Sequence, residues 1–541
     1  MKRVSVSTVI DRAYEFIVRN ESYVFGFFVL ISLYHIWSTH YVVSLDGPQH
    51  LYNAHVLVEL IKGNELFKEY FRVNDVIVGY WMGHFLLGFF KLFFPAWLAE
   101  KFFLTTYVIA VILSFRYLVR SMNPGKNNLI IYLVFPFIFH SYLLQGYYPF
   151  SLAAIFYFLA IGFWLRRREL PDLRSMFTFG ILALGVFLSH GLVFFFFAAS
   201  MGLVFLSDSM ETIWVKRELN PFRKVANRLW RLLLSAAPAV VLWIIYIRSV
   251  MGINPTVTPA SYSSGELVRF LFRIRQLVGF DHQKESPAYI ALFVLLAILC
   301  LYIIFTFVKK CRKGAYNTSH LINSRNSWLL IMGMFLGFYF LLPDRISAVS
   351  LTNRFGLFFF FGTIVFLASQ KFPRSLQLFA LLMLSGSTIS TRLIHHQYLS
   401  RSNKEIMELK ELSDHMNEGS TVISINTTNN WIHHHTQLYV ADELSVIHLN
   451  NPQCAGQFPI VWNEKSLPRC FTGGHAFHPS GSPDVSGLDH KVEQVDYITV
   501  FYHRRLWEDD SYEQWQNILH NNYDLVSVSS QKRAALYRRK E

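Results

Sequence analysis

The chain runs to 541 residues, 52% of them hydrophobic and only 16% charged, with 51 phenylalanines. That composition excludes an ordinary soluble enzyme and points to a polytopic membrane protein. The net charge of +14 invites a nucleic-acid reading, but its distribution excludes one: from Ser402 onward 12 Lys and Arg face 18 Asp and Glu, a net of −6, so the remaining +20 lies upstream, clustered in short loops between apolar runs.

Met1-Lys2-Arg3, Arg12 and Arg19 precede the first apolar run, which has no small-residue cleavage site. It is expected to remain as a signal-anchor with the N-terminus in the cytoplasm. Apolar runs of about 17–22 residues, each long enough for about 30 Å of hydrocarbon, recur from Tyr23 to Leu393. The expected spans are 23–43, 98–118, 128–144, 148–165, 175–189, 191–207, 232–250, 288–308, 327–343, 355–370 and 375–393. Basic clusters mark the inside: Arg166-Arg167-Arg168, the run from Lys216 to Arg231, Lys309 to Lys313, and Lys371 with Arg374. Residues 79–95 are also apolar; as a full crossing they would put Arg166-Arg167-Arg168 outside, so they either dip into the outer leaflet or a neighbour does. From about 400 the sequence turns soluble. Helical periodicity covers 404–416 and 513–520, and strand-like runs cover 421–425, 444–449, 497–502 and 525–528. The reading is a polytopic α-helical membrane protein of about 11–12 spans (1–399), followed by an extracytoplasmic soluble α/β domain (400–541).

The chemistry is expected in the first outer loop. Ser44-Leu45-Asp46-Gly47-Pro48-Gln49-His50 follows the first span, and a carboxylate beside an imidazole at a bilayer edge is costly unless used. Gly47-Pro48 is a helix-start signal, predicting a surface helix over about 48–61 with His50 and Asn53 on one face. Asp46 is then either the N-cap of that helix or a catalytic carboxylate; capping alone leaves His50 and Asn53 unexplained. Asp75 and His84 supply a second acid and imidazole outside. Tyr148 in the turn 145–149 and His190 between two apolar runs join them as candidates for substrate contact. Asp344, Arg345 and Arg354 share one short outer loop. Arginine offers a fixed fork of donors suited to phosphate, set against plain contact with Asp344 or a lipid headgroup. The run His433-His434-His435 lacks partners at metal-ligand spacing. Cys454 and Cys470, in the extracytoplasmic tail, are expected to form a disulfide. No P-loop, dinucleotide fingerprint or nucleophile elbow is present.

An acidic residue in the first outer loop, a surface helix after it, many spans and a soluble outer C-terminal domain together resemble the GT-C glycosyltransferase superfamily. At motif level the resemblance rests on Leu45-Asp46-Gly47-Pro48-Gln49-His50. It implies transfer of a hexosyl or pentosyl group from a polyprenyl-phosphate-linked donor to a glycan, lipid or protein acceptor on the outer face. Asp46 would be the general base, His50 would position or share the proton, and Arg345 or Arg354 would hold donor phosphate. The Asp-Asp or Glu-Asp pair of some members is absent beside Asp46, which leaves a divalent cation, Mg or Mn, open as a cofactor and none assigned. The expected place is a bacterial cytoplasmic membrane, since Asn317-Thr318-Ser319 falls in a cytoplasmic loop, although Asn426-Thr427-Thr428 keeps a eukaryotic lumen open. The partners are membrane lipids, with no nucleic acid. A lipid-linked glycan polymerase or ligase, a lipid or solute transporter, and a non-catalytic envelope-assembly scaffold are the alternatives.

Overall fold

A computed structural model describes residues 6–541 apart from 124–127, 170–171, 217–219, 252–260, 314–321, 347–348, 455, 464 and 468–494. Cys470 and the Asn317 acceptor sequence lie outside the described residues. Seven helices are long and apolar enough to cross a membrane: Ala96–Met122, Tyr148–Arg167, Gly191–Val215, Pro221–Ser249, His282–Arg312, Thr352–Ser369 and Arg374–His415. A bent pair, Ser7–Arg19 and Glu21–Trp37, meeting at 71°, makes an eighth. Leu129–Leu144, Leu173–Ser189 and Ser327–Leu341 are shorter apolar helices. Each of the eleven expected spans coincides with one of these apolar helices, of which seven, or eight with the bent pair, are long enough to cross. Phe177, Leu301, Phe305 and Leu382 on these helices are left exposed, as lipid-facing side chains require.

The questioned segment 79–95 forms only Trp81–Lys91, eleven residues. At 1.5 Å per residue that is about 16 Å, half of a bilayer core, so it does not count as a crossing.

The chain divides into two compact units. One comprises residues 1–35, 106–143 and 150–395, and the other 36–105, 144–149 and 396–541. Within the first, three cations of the basic run from Lys216 to Arg231 converge on a single carboxylate. Glu169 lies 3.8 Å from Lys216, 3.2 Å from Lys224 and 2.5 Å from Arg228. Arg168 pairs with buried Asp208 beside them. At the other end of this unit, Glu285 accepts from the backbone N–H groups of Gly279, Phe280 and Asp281 and lies 3.2 Å from His395. Arg392, fully buried, donates to the Phe135 carbonyl and stands over the Phe139 ring.

The second unit joins the segment after the first apolar helix to the tail. The helix expected on the surface runs Gly47–Lys62, opened by Pro48 and closed by Gly63 at φ +84°, a left-handed position that favours glycine; it is not a surface helix, because every residue from Gly47 to Glu59 is buried. Phe71–Val73 pairs antiparallel with Ile460–Trp462, and the Phe71 and Trp462 rings stack at 4.5 Å. The tail's five-stranded sheet has the order Ile447–His448, Thr421–Asn426, Tyr497–Phe501, Ala534–Arg539, Tyr523–Val528. Its first two pairings are parallel and its last two antiparallel. The strand Ala534–Arg539 was not predicted: its Ala-Ala-Leu-Tyr-Arg-Arg sequence reads as a basic chain end, yet it lies inside the sheet with Ala534 to Tyr537 buried. One apolar core holds Tyr52, Val56, Phe67 and Phe71 of that segment together with Val422, Ile423, Val446, Ile460 and Tyr497 of the tail. Burial of such side chains contributes roughly 1.5–3 kcal/mol each. Tyr52 ties this core with two hydrogen bonds, its hydroxyl donating to the Val446 carbonyl (3.1 Å) and accepting from His448 N–H (2.8 Å).

Candidate active site

Asp46 stands at the N-terminus of the helix Gly47–Lys62, but its side chain makes no capping bond. The first helical N–H, that of Gly47, is met instead by Ser44 Oγ at 3.1 Å. The backbone of Asp46 is pinned from both directions. Its N–H donates to the Gln145 carbonyl (2.9 Å), and its carbonyl accepts from His50 N–H (3.1 Å). Two glycines permit this approach. At Gly146, φ is +83° and a Cβ would lie 2.3 Å from Gly47 N; at Gly47, a Cβ would lie 2.2 Å from Ser44 Oγ and 2.7 Å from the Tyr148 hydroxyl. The turn 145–148 therefore presses directly on Asp46-Gly47, and the carboxylate is left to face elsewhere.

What it faces is His435, whose Nε2 lies 3.8 Å from Asp46 Oδ1. Burial, with a further contribution from His434, lowers the His435 imidazole to about 3, so this ring is neutral at physiological pH. Behind the turn, Tyr148 donates to Glu100 Oε1 at 2.6 Å and lies 3.4 Å from Ser44 Oγ. Glu100 is completely buried.

His50 and Asn53 share one helical face, as the spacing predicted, and both are buried. The His50 ring packs against His84 (5.2 Å between centroids) and Tyr148 (5.7 Å). Burial first, and then His84, holds the His50 imidazole well below its ordinary range. One turn of helix separates its side chain from that of Asp46, and the imidazole that meets the carboxylate is His435's. Asn53 Oδ1 accepts from Asn451 Nδ2 (2.7 Å) and from the thiol of Cys454 (3.6 Å). Cys454 is a buried free thiol; its expected partner Cys470 is outside the described residues. His84 Nδ1 meets the Tyr80 carbonyl at 3.0 Å. Asp75 is drawn away from this group: its carboxylate is 85% exposed and pairs with Arg72 at 2.7 Å.

The remaining candidates belong to the other unit. Arg345 opens a two-residue strand, Arg345–Ile346, paired with Val349–Ser350. Asp344 accepts from the Ser350 hydroxyl (3.1 Å) and Thr352 N–H (3.3 Å), fixing the turn that leads into Thr352–Ser369. Arg354, buried on the first turn of that helix, holds its guanidinium over the rings of Tyr142 (5.2 Å) and Phe150 (5.3 Å). His190 Nδ1 accepts from Leu192 N–H at 3.2 Å, capping Gly191–Met210, and its ring packs edge-on to Phe150.

Sequence reasoning missed Ser44, Glu100 and the partnership of His435 with Asp46. Glu100 carried a usable signal, an acid inside a predicted span. His435 carried none, since the histidine run was weighed only as a metal site. The three histidines do not converge on a metal: His433 lies 2.7 Å from Glu405, while His435 meets Asp46. Among the described residues no three His, Cys, Asp or Glu side chains are placed to hold a metal ion.

No family model and no curated relative matches this sequence. Solved structures do. Apo ArnT from Cupriavidus metallidurans is similar over 96% of this chain and 98% of its own, at 11% identity and TM-score 0.52. The same protein bound to undecaprenyl phosphate gives 95% and 97%, 10% identity and TM-score 0.52. The oligosaccharyltransferase of Archaeoglobus fulgidus, in complex with Zn and sulfate, covers 95% of this chain over 72% of its own, at 12% identity and TM-score 0.43. The likeness to ArnT is one of fold, end to end.

Proposed function

We propose that this protein is a membrane glycosyltransferase that moves a sugar from a polyprenyl-phosphate-linked donor to an acceptor on the extracytoplasmic face of the membrane. The observation that carries the reading is the state of Asp46. It is a carboxylate at a helix start that does no capping, on a backbone pinned at both ends, beside an imidazole kept neutral by burial. The ArnT fold supports the donor class, one ArnT structure being that of the undecaprenyl-phosphate complex.

In the proposed reaction the acceptor oxygen attacks the anomeric carbon and gives its proton to Asp46. The bond from that carbon to the phosphate oxygen breaks, and the electron pair leaves with polyprenyl phosphate. A single displacement inverts the anomeric configuration. His435, being neutral, does not depress the basicity of the carboxylate as a cation would. Arg354 is the first candidate to balance the leaving phosphate, because stacking on two rings fixes the plane of its guanidinium; Arg345 is the second. His50, Asn53, His84 and Tyr148 shape the acceptor side. No step is routed through a metal.

The test is release of polyprenyl phosphate from labelled donors by purified protein, wild type beside Asp46→Asn. A loss of about 10²–10⁴-fold is expected for removal of a general base, with thermal unfolding unchanged because the side chain caps nothing. Turnover within threefold of wild type would refute the role of Asp46.

A further inference from the structure

A groove of about 1100 Å³ opens on the tail between the helix His503–Glu508 and the turn 529–533 that links two sheet strands. Pockets for drug-sized ligands measure roughly 300–1000 Å³, so the space suits a short oligomer better than a single small ion. Its charge runs against its surroundings. The tail from Ser402 is net −6, yet the groove lining holds Arg504, Arg505, Lys532 and Arg533 with Glu508, while Asp509 and Glu408, outside the lining, pair with Arg505 and Arg533. A third of the tail's 12 cations are gathered here.

The groove also holds an aromatic platform. Trp507 remains 42% exposed, although its indole is fixed. Trp507 Nε1 donates to His503 Nε2 at 3.0 Å and lies 3.3 Å from the Tyr537 hydroxyl, which itself lies 2.6 Å from His503 Nε2. A ring immobilised before binding loses little freedom when a ligand stacks on it. The arginines are oriented by carboxylates: Arg504 by exposed Glu508 (2.6 Å), Arg505 by Asp509 (3.9 Å) and Arg533 by the buried Glu408 (3.0 Å). The two exposed pairs open at little cost, so a ligand carboxylate or phosphate can take or share the guanidinium of Arg504 or Arg505, while Arg533 stays on Glu408 and meets a ligand with its remaining donors. Lys532 sits at the tip of the turn at φ +62°.

We propose that this groove binds an anionic saccharide, with Trp507 stacking on the apolar face of a sugar ring while Arg504, Arg505, Lys532 and Arg533 meet its acidic substituents. The inference stands apart from the transfer reading, because neither Asp46 nor His435 lines the groove and binding is read without turnover.

The experiment uses the full chain in phosphatidylcholine nanodiscs, titrated with trigalacturonate and with maltotriose as a neutral trisaccharide of equal length. Trigalacturonate is expected to bind, and more weakly as salt rises. Maltotriose, Lys532→Glu and Trp507→Ala should each weaken binding by about tenfold or more, as loss of charge pairing or stacking requires. Lys532→Glu, on an exposed turn, should leave thermal unfolding unchanged, which keeps the result readable if Trp507→Ala misfolds. Asp46→Asn should bind as the wild type does, so loss of transfer and loss of binding are separable. Equal affinity for the two sugars, indifference to Lys532→Glu, or no binding of trigalacturonate would overturn the proposal. So would Lys532-dependent capture of phosphatidylglycerol vesicles without saccharide binding, which would make the groove a membrane contact.

Discussion

Gly47→Ala places one methyl group where three hydrogen-bonded atoms already stand. The new Cβ would lie 2.2 Å from Ser44 Oγ, 2.7 Å from the Tyr148 hydroxyl and 3.0 Å from Glu100 Oε1. All three are side-chain ends, which ordinarily yield cheaply, but none is idle here. Ser44 Oγ accepts from Gly47 N–H, and Tyr148 donates to Glu100. Relief of the clash therefore breaks one neutral hydrogen bond or one bond to a carboxylate, roughly 1–3 kcal/mol, in a group with no water to replace it. Overpacking adds a term of similar size, so a destabilisation of about 2–4 kcal/mol is expected. The functional loss should be larger than that figure implies, since a shift of about 1 Å at a reacting group costs on the order of 10²-fold in rate. The assay is the unfolding midpoint in detergent together with single-turnover transfer measured well below that midpoint. Gly47→Ala with wild-type midpoint and wild-type turnover would refute both the tight packing of the turn and its role in aiming Asp46.

Three further outcomes are expected. Tyr52→Phe should cost about 1–3 kcal/mol by leaving His448 N–H and the Val446 carbonyl unmet, and limited proteolysis should then cut the tail sooner, because Tyr52 ties the first loop to it. Arg354→Lys should raise the donor KM nearly as much as Arg354→Ala, since a point charge replaces neither the stacked plane nor the donor fork; full retention by lysine would show that charge alone matters. Stability should fall on acidification. His435 and His448 are each lowered by burial to about 3, so between pH 6.5 and that value the unfolded chain binds protons that the folded chain does not. Each histidine then contributes about 1.4 kcal/mol of lost stability per pH unit across that window. Unfolding midpoints measured from pH 7 to 4 in wild type and His435→Gln test this, and an unchanged slope in the variant would remove His435 from the account.

The sequence determined where the apolar helices lie and where the helix carrying the candidate site begins. Apolar run length settles whether a segment can cross hydrocarbon, and Gly47-Pro48 settles where a helix starts, because both are local properties of the chain. Periodicity likewise put His50 and Asn53 on one helical face, where the structure has them. It did not say what that face meets. Only the tertiary structure decided that Phe71–Val73 lies on Ile460–Trp462, that His435 faces Asp46, and that Ser44, Tyr148 and Glu100 close behind Gly47. The fate of 79–95 was decided there too, since hydropathy reports apolarity and not the length of unbroken helix. The strand Ala534–Arg539 escaped prediction for a different reason: its six residues carry no alternation, although one neighbour, Tyr523–Val528, is its own hairpin partner and the other, Tyr497–Phe501, lies further upstream. Hydrophobic pattern records which side of an element must be covered; the covering residues are chosen by packing between segments hundreds of positions apart, and no local pattern encodes that choice.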